Sequence, residues 1–321
     1  MKYAIGIDIG GTNTKLGLAE PGGKVLARDR FNTPDFKTFE AYVETLSSRI
    51  RALMDSAGGE CAGIGIGAPN GNFYKGSIDN APNLPFGGGE FMLVDALRER
   101  FGLRHIYMTN DANAAALGEK IYGGAKGLEH FITITLGTGL GSGIIIDGKL
   151  LYGADGAAGE LGHVCAVPGG RLCNCGCRGC LETYASATGI KRTYFELLSF
   201  YGGGSSIQNK GYDEIDALSI ELAARAGDKI ALETYRRTGE ILGKNLANFA
   251  AFSRPQKIFL FGGPVKSGEL LLEPTRKAMN ENLYPIWKNK IEIVPSLLPE
   301  SDAAILGSSS LVWDAIERGA Q

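Results

Sequence analysis

Several features that would assign a class at once are missing from this chain of 321 residues. No run approaches the ~18 apolar residues that a membrane-spanning helix needs. The 33 basic residues are balanced by 35 acidic ones, so the net charge of −2 gives no electrostatic basis for binding nucleic acid or an anionic membrane. We therefore expect no nucleic-acid partner and no membrane association.

The two common glycine motifs for nucleotides are also missing. The chain has no G-x-x-x-x-G-K-[ST] phosphate loop, and its densest glycine run does not follow the dinucleotide spacing G-x-G-x-x-G. Residues 1–6 enter a strand-like pattern at once and lack the tripartite layout of a signal peptide. These absences argue against Rossmann and P-loop nucleotide sites, and they predict a cytoplasmic protein.

Two residue types are present in unusual amounts or places. Glycine accounts for 47 residues, about twice the usual share, which indicates many tight turns and close approaches of backbone to a ligand. Five of the six cysteines lie within sixteen residues, and in a reducing compartment such crowding favours a metal over disulfides. The five are Cys165, Cys173, Cys175, Cys177 and Cys180.

Hydrophobic periodicity predicts alternating strands and helices, the order of an α/β protein. The predicted strands are residues 3–9, 14–19, 24–31, 62–68, 104–109, 131–136, 143–146, 257–261 and 291–294. The predicted helices are residues 38–57, 90–101 and 111–120, three between 188 and 252, one from 267, and 302–316.

The two halves of the chain share a pattern. Residues 7–12 lead from a strand through a glycine-threonine turn into a second strand, a glycine turn and a third strand. Residues 135–138 open the same series, which continues to the glycine turn at 147–149. A duplicated unit predicts two related lobes with a cleft between them. Two chance hairpins in a glycine-rich chain are the alternative.

Both glycine-threonine turns have the composition of a phosphate site. We call residues 8–15 the first glycine turn and residues 137–143 the second. In such turns successive backbone N–H groups form an anion-binding nest, to which Thr12 adds a hydroxyl and Lys15 a positive charge. Asp8 could hold Mg²⁺ through water. A third turn, Gly262-Gly263, could pack against a nucleotide base, and an ordinary hairpin or strand-to-helix turn is the alternative in each case.

An aspartate stands where a predicted strand ends and a helix begins. Asp111 could accept the proton of a substrate hydroxyl, as phosphoryl transfer to an alcohol requires. The structural alternative is that Asn110 or Asp111 serves as the N-cap of the helix.

The cysteine-rich stretch follows a short Gly-Glu-Leu-Gly-His motif that ends at His163. Its density of sulfur and imidazole donors suits tetrahedral Zn²⁺, with His163 and three of the cysteines as candidates. Glu160 and Glu182 flank the stretch and could accept hydrogen bonds from a polyol, although each could equally be a solvated surface carboxylate.

Taken together, these segments resemble the ROK family of sugar kinases and repressors, within the actin-like ATPase superfamily. The resemblance runs over nearly the whole chain, and its most specific part is C-x-C-G-x-x-G-C-L-E with a histidine ten residues before the first cysteine. The motifs that carry it are residues 8–15, 63–69, 110–119, 136–143, 159–163 and 173–182.

The resemblance implies a fold and a set of roles. It implies two ribonuclease-H-like lobes, a smaller one of residues 1–109 plus 302–321 and a larger one of residues 110–301 with a zinc knuckle. Asp111 would be the general base. The sugar would be bound by Asn110, Asp111, Glu160, His163 and Glu182, and the zinc by His163, Cys173, Cys175 and Cys180. ATP with Mg²⁺ would be bound by Asp8, Gly10, Gly11, Thr12, Asn13, Lys15, Gly137, Thr138, Gly139, Gly262 and Gly263.

The resulting prediction is a cytoplasmic, homodimeric kinase that transfers phosphate from ATP to a hexose, with glucose as the first choice. Fructokinase, mannokinase and N-acetylhexosamine or N-acetylmannosamine kinase are the alternatives within the class. A sugar-responsive repressor without its DNA-binding module is the alternative outside it. Asn70 and Pro264 depart from glycines usual in the family, and the first bears on which sugar fits. Cys177 would be a bystander to the metal.

Overall fold

The computed structural model describes residues 1–81, 83–86, 88–299 and 301–319. The strands are β1 (Lys2–Ile9), β2 (Asn13–Ala19), β3 (Val25–Asn32), β4 (Glu60–Gly67), β5 (Gly71–Asn72), β6 (Ser77–Asp79), β7 (Glu90–Phe91), β8 (Ile106–Thr109), β9 (Phe131–Leu136), β10 (Leu140–Ile146), β11 (Lys149–Leu150), β12 (Lys257–Phe261) and β13 (Glu292–Pro295). The α-helices are α1 (Phe39–Ala57), α2 (Leu93–Phe101), α3 (Asp111–Ile121), α4 (Glu182–Ala185), α5 (Ala187–Tyr201), α6 (Ala217–Arg225), α7 (Lys229–Ser253), α8 (Glu269–Asn282) and α9 (Ala303–Glu317).

Two five-stranded sheets repeat one topology. The first has the order β3-β2-β1-β4-β8, and the second has the order β11-β10-β9-β12-β13. In the first sheet β1, β2 and β3 form an antiparallel meander, while β4 and β8 run parallel to β1. In the second sheet β12 runs parallel to both β9 and β13. The duplication expected from the sequence is therefore present in the strand order.

Contacts between residues divide the chain into two compact units. The first unit comprises Met1–Leu128, Gly143–Gly159 and Ser296–Gln321, and the second comprises Glu129–Ser142 and Glu160–Pro295. This division differs from the predicted lobes in two respects. Helix α3 belongs to the first unit, although the predicted boundary at residue 109 placed it in the other lobe, and the first unit is the larger of the two. The reason is packing: a β-carbon on Gly118 of α3 would lie only 3.0 Å from the Cα of Gly307 in α9.

Several glycines of the first sheet serve helix-on-sheet packing. A β-carbon on Gly6 would lie 2.0 Å from the carbonyl oxygen of Ile305, and one on Gly65 would lie 1.9 Å from that of Ser308. Only glycine lets the backbone of α9 approach the sheet this closely. The last helix thus packs on the first sheet, and α1 contributes Tyr42, Val43, Leu46 and Ile50 to the core of the same unit.

Several short elements escaped prediction or were assigned to the wrong class. Residues 90–91 form strand β7 of a small β5-β6-β7 sheet, and α2 begins only at Leu93, so the helix predicted from residue 90 starts too early. Strand β10 begins at Leu140, three residues before the prediction. Within the described part of the chain, no helix is both long and apolar enough to cross a membrane.

Candidate functional site

In the first unit, two carboxylates lie at the carboxyl ends of parallel strands. Asp8 is the penultimate residue of β1, and Asp111 follows the end of β8 and opens α3. In sheets of this kind ligands bind outside the carboxyl ends of the strands. The sequence-predicted base and the sequence-predicted Mg²⁺ residue therefore share one edge of the first sheet.

Helix α3 is capped by Asn110 and not by Asp111. The side chain of Asn110 accepts a hydrogen bond of 2.7 Å from the backbone N–H of Asn113, as an N-cap does. Asp111 is the first helical residue, and its Oδ1 accepts a hydrogen bond of 2.8 Å from the N–H of Ala112. The capping role that could have explained Asp111 in structural terms belongs to its neighbour.

The two carboxyl groups hold their protons more tightly than usual. Burial raises the pKa of Asp8 to about 6, the nearby charge of Asp111 adds to this, and Lys15 opposes it. Although part of the Asp111 residue is exposed to solvent, protein atoms surround its carboxyl group closely, and this burial raises its pKa while the N–H of Ala112 lowers it. Raised carboxyl pKa values are frequent at functional sites.

The first glycine turn is closed against its own unit. The N–H of Gly10 donates to the carbonyl oxygen of Asn13 over 3.0 Å, and Lys15 lies directly across the strand pair from Asp8. A β-carbon on Gly11 would come 2.8 Å from the carbonyl oxygen of Asn83. Asn83 is therefore the structural reason for this glycine, and the sequence analysis did not single it out.

The second glycine turn is more open. The N–H of Gly137 donates to the carbonyl oxygen of Gly139 over 3.0 Å, while the carbonyl oxygen of Gly137 accepts from the N–H of Ala187 at the start of α5. Thr138 is exposed. A β-carbon on Gly137 would meet no atom within 4 Å, whereas one on Gly139 would come 2.6 Å from Glu182 Oε2.

The third turn contains one glycine in close contact with its own unit and one glycine that faces open space. Gly262 has a φ of 113°, and a β-carbon there would come 2.1 Å from the carbonyl oxygen of Leu136, so the end of β12 packs directly on the end of β9. Gly263 has open space where a β-carbon would be. The turns at Gly137 and Gly262 thus adjoin at one edge of the second sheet.

The predicted sugar-binding residues of the second unit lie around a short 3₁₀ helix, Leu161–His163. Glu160 precedes this helix and is exposed, and its carbonyl oxygen accepts from the N–H of His163. The Nδ1 atom of His163 lies 3.9 Å from Glu182 Oε1. The histidine side chain is 38% exposed and the glutamate side chain 21%, so both can reach a ligand.

Four side chains converge on one point, namely those of His163, Cys173, Cys175 and Cys180. One ligand atom from each lies within 4.8 Å of all the others. The distance from Cys173 Sγ to His163 Nδ1 is 3.7 Å, and that between the Sγ atoms of Cys175 and Cys180 is also 3.7 Å. A hydrogen bond from the backbone N–H of Cys177 lowers the pKa of the Cys175 thiol to about 7, towards the thiolate that a metal requires, whereas burial raises the pKa of the Cys173 and Cys180 thiols.

The cysteine loop is also anchored by an arginine that the sequence analysis missed. The side chain of Arg171 is only 7% exposed, and its guanidinium donates to the carbonyl oxygens of Thr183 and Gly189. The same group lies 4.3 Å from the centre of the Tyr184 ring. Its guanidinium also pairs with the carboxylate of Glu196. An arginine two residues before Cys173 gave no signal in the sequence, because these partners are brought near only by the fold.

Two sheets with the same strand order, each with a glycine turn between its first two strands in the chain, define an actin-like ATPase fold. A profile of the ROK family matches residues 4–315. The chain is 36% identical over 314 residues to a glucokinase of Thermotoga maritima, a match that covers 97% of this chain and 98% of the relative. The chain belongs to the ROK family.

Two further comparisons show that the chain is similar both to enzymes and to repressors. A ROK family glucokinase from Streptomyces griseus, solved in complex with glucose and AMPPNP, is 33% identical with a TM-score of 0.79, over 96% of this chain and 98% of that one. A xylose repressor of Caldicellulosiruptor bescii is 31% identical over 313 residues, which are 96% of this chain and 77% of the repressor. The prediction of an ATP-dependent sugar kinase is confirmed at the level of enzyme class.

Proposed function

We propose that the protein transfers the γ-phosphate of ATP to a hexose, with glucose as the preferred substrate and glucose 6-phosphate as the product. The glucokinase relatives support the reaction, and one observation carries the assignment of the base. Asn110 caps α3, which leaves the carboxylate of Asp111 at the edge of the first sheet without a capping duty. A carboxylate so placed can accept the proton of a hydroxyl.

Asp111 would act as general base on the 6-hydroxyl of the sugar. One of its oxygens accepts a hydrogen bond from the N–H of Ala112, which fixes the orientation of the carboxyl group. We propose that the other oxygen accepts the proton of the sugar hydroxyl. The raised pKa of Asp111 suits this role, because a base with a higher pKa takes up a proton more readily. Positioning and electrostatic stabilisation supply most of the catalysis in phosphoryl transfer.

We assign the phosphates of ATP to the glycine turns. The N–H groups of Gly10 and Gly137 donate within their own turns and shape the backbone there, and the N–H of Gly11 is the backbone donor that we assign to phosphate. Thr12, Asn13 and Thr138 add polar side chains, and Lys15 adds a positive charge. Gly139, Gly262 and Gly263 complete the assigned set. Asp8 is the residue that would hold Mg²⁺ through water, and the bound ion would neutralise charge on the phosphates. The open space at Gly137 and Gly263 is what a ligand lying against backbone requires.

We assign the remaining sugar hydroxyls to Asn110, Glu160, His163 and Glu182. Asn70 bears on which sugar is accepted. Its φ of 51° is the left-handed conformation that the usual glycine adopts readily, and its side-chain amide donates to the carbonyl oxygen of Asn80 over 3.0 Å. Asn70 therefore adopts the backbone conformation that glycine would adopt, and it adds an amide side chain there.

We propose a structural Zn²⁺ at the convergence of His163, Cys173, Cys175 and Cys180. Zn–S bonds of about 2.3 Å in a tetrahedron place sulfur atoms about 3.8 Å apart, close to the observed 3.7 Å. When bound, the ion would fix the loop that carries the flanking glutamates. His163 turns Nδ1 towards the sulfur atoms, which leaves Nε2 as the atom we assign to a sugar hydroxyl.

A coupled assay of ADP release over a panel of hexoses and N-acetylhexosamines tests the proposal. We expect glucose to give the highest kcat/KM, and a higher value for fructose, mannose or an N-acetylated sugar would replace glucose by that substrate. A sugar-binding regulator is the second candidate, favoured by the repressor relatives. Saturable sugar binding with no ADP release on any sugar would select it.

We also propose that the protein forms a homodimer and is located in the cytoplasm. Light scattering during gel filtration would decide the first, because a monomer mass at micromolar concentration contradicts it. Fractionation of the native host cells would decide the second.

A further inference from the structure

The carboxylate of Glu182 makes two contacts, one with the second glycine turn and one with the cysteine cluster. Its Oε2 atom accepts a hydrogen bond of 3.3 Å from the backbone N–H of Leu140, inside the second glycine turn. Its Oε1 atom accepts from the Cys173 thiol over 3.0 Å. One carboxylate therefore contacts both the cysteine cluster and the turn to which we assign phosphate.

The contact with the turn is close enough to dictate a residue type. A β-carbon on Gly139 would come 2.6 Å from Glu182 Oε2, which is inside van der Waals contact. Gly139 has no positive φ that would call for glycine on conformational grounds. The glycine at this position is thus explained by the carboxylate that lies against it.

The other side of the turn is held by the segment that carries the predicted sugar residues. Ser142 Oγ accepts from the N–H of Leu161 over 3.2 Å, and a β-carbon on Gly162 would lie 2.1 Å from the carbonyl oxygen of Leu140. Leu140 therefore donates its N–H to Glu182, while its carbonyl oxygen packs closely against the backbone of Gly162. All of these contacts lie within the second unit.

We propose that Glu182 is a positioning residue for the nucleotide: by anchoring the N–H of Leu140 it holds the second glycine turn in the conformation that receives phosphate. The inference rests on the proposed function, because it takes the second turn to be a phosphate site. It adds a role that sugar binding alone does not give this residue. Losing the anchor weakens nucleotide binding even when no sugar is present.

A consequence is thermodynamic coupling between the two substrates. A sugar hydroxyl that binds Glu182 restricts the carboxylate that already orders the turn, so sugar and nucleotide each raise the affinity for the other by the same factor. The anchor itself runs directly from Glu182 to Leu140. The proposed metal acts on this anchor only indirectly, by supporting the loop that carries Glu182.

The test is calorimetric titration of the sugar-free protein with the ATP analogue AMPPNP and Mg²⁺. Glu182→Ala removes the anchor, and because a hydrogen bond to a charged group is lost we expect the Kd to rise about tenfold. Glu182→Gln keeps an amide oxygen that can accept from Leu140, so its Kd stays within about twofold of the wild type. Both variants lose sugar affinity, which separates the two roles of the residue.

Two further variants guard the interpretation. Cys177→Ser, which changes the same loop but neither the anchor nor a proposed metal ligand, leaves the Kd for AMPPNP near the wild-type value. Should Glu182→Ala fold poorly, Glu182→Asp, whose side chain is one methylene shorter and withdraws the carboxylate from Leu140, weakens AMPPNP binding in its place.

An AMPPNP Kd for Glu182→Ala equal to that of a wild type that binds the analogue overturns the inference and leaves the kinase assignment intact. A wild type that binds no AMPPNP overturns the kinase assignment itself and the inference with it.

Discussion

The two glycine turns occupy equivalent positions in two sheets of the same order, yet their glycines are present for different reasons. In the first turn, Gly11 is required because the carbonyl of Asn83 lies against it. In the second, Gly139 is required by Glu182, whereas Gly137 faces open space. The same sequence pattern thus encodes a turn that is packed at Gly11 against another loop of its own unit and a turn that is open at Gly137.

The units also differ in the chemistry placed beside the turns. The first has two carboxylates with raised pKa values, Asp8 and Asp111, and the second has a cluster of sulfur and imidazole donors. We interpret this as a division of labour in which the first unit supplies proton transfer and the second supplies a rigid frame for binding. Substitutions confined to one unit therefore separate the two roles.

The largest effect is expected from Asp111→Asn in the first unit. The amide keeps shape and hydrogen bonding but cannot take up the proton, so kcat should fall by roughly a hundredfold or more. Glucose affinity, measured by calorimetry with AMPPNP present, should change little. Near-normal turnover would return Asp111 to a purely structural role at the start of α3.

The corresponding change in the second unit is Cys175→Ser. We expect loss of one Zn²⁺ per chain and a fall in sugar affinity of about tenfold or more, because the loop bearing Glu182 loses its metal support. Cys177→Ser is the matched control and should change neither value. Metal analysis after reducing, chelator-free purification measures the first effect; a zinc content near zero in a fully active wild type would falsify the metal site.

Asp8→Asn should separate stability from function within the first unit. The carboxylate of Asp8, with a pKa of about 6 in the folded state and an ordinary value of 3.8, destabilises the fold once pH exceeds 3.8, increasingly so up to pH 6. Because Asp8 is partly hydrated, we expect the variant to gain about 1 to 2 kcal/mol in free energy of unfolding at pH 7.5, and to lose this gain as pH approaches 4.

Urea denaturation at several pH values measures the Asp8→Asn effect, with Asp35→Asn at an exposed position as control. Catalytic activity should fall in the same variant, since Asp8 is assigned to Mg²⁺. Equal stability of variant and wild type at every pH would mean that the carboxyl of Asp8 is well hydrated in the folded protein.

The smallest effects are expected from alanine substitutions in the two glycine turns, and they test how the turns differ. Gly137→Ala should raise the KM for ATP about threefold to tenfold while leaving the fold intact, because the methyl group enters open space without strain. Gly11→Ala should instead lower the free energy of unfolding by about 1 kcal/mol or more through its contact with Asn83. The same pattern for both variants would remove the distinction between a closed and an open turn.

The contrast between these turns also marks how far the sequence could predict the molecule. Periodicity located β12 at residues 257–261, and the paired glycine motifs predicted the duplicated sheets. The glycine excess was assigned to turns and ligand contacts, but Gly6 and Gly65 serve the packing of α9 on the sheet. That reason depends on which helix covers which strand, and local composition does not contain it.

For the site, chemistry-bearing residues were easier to predict than the residues that hold them. His163 and the cysteines stand out by type and spacing, and the four implied as ligands lie within 4.8 Å. The sequence did not predict Asn83, Arg171 or the second role proposed for Glu182. In each case the contact involves backbone groups that are distant in sequence. Strands β5 and β7, of two residues each, are too short for periodicity to detect.

The most direct test of the central claim is product analysis by ³¹P and ¹³C NMR after incubation of the purified chain with glucose, ATP and Mg²⁺. The account predicts glucose 6-phosphate and ADP in equal amounts, and neither product above background with Asp111→Asn. Glucose that binds saturably but is recovered unphosphorylated, or product formed by Asp111→Asn at the wild-type rate, would contradict it.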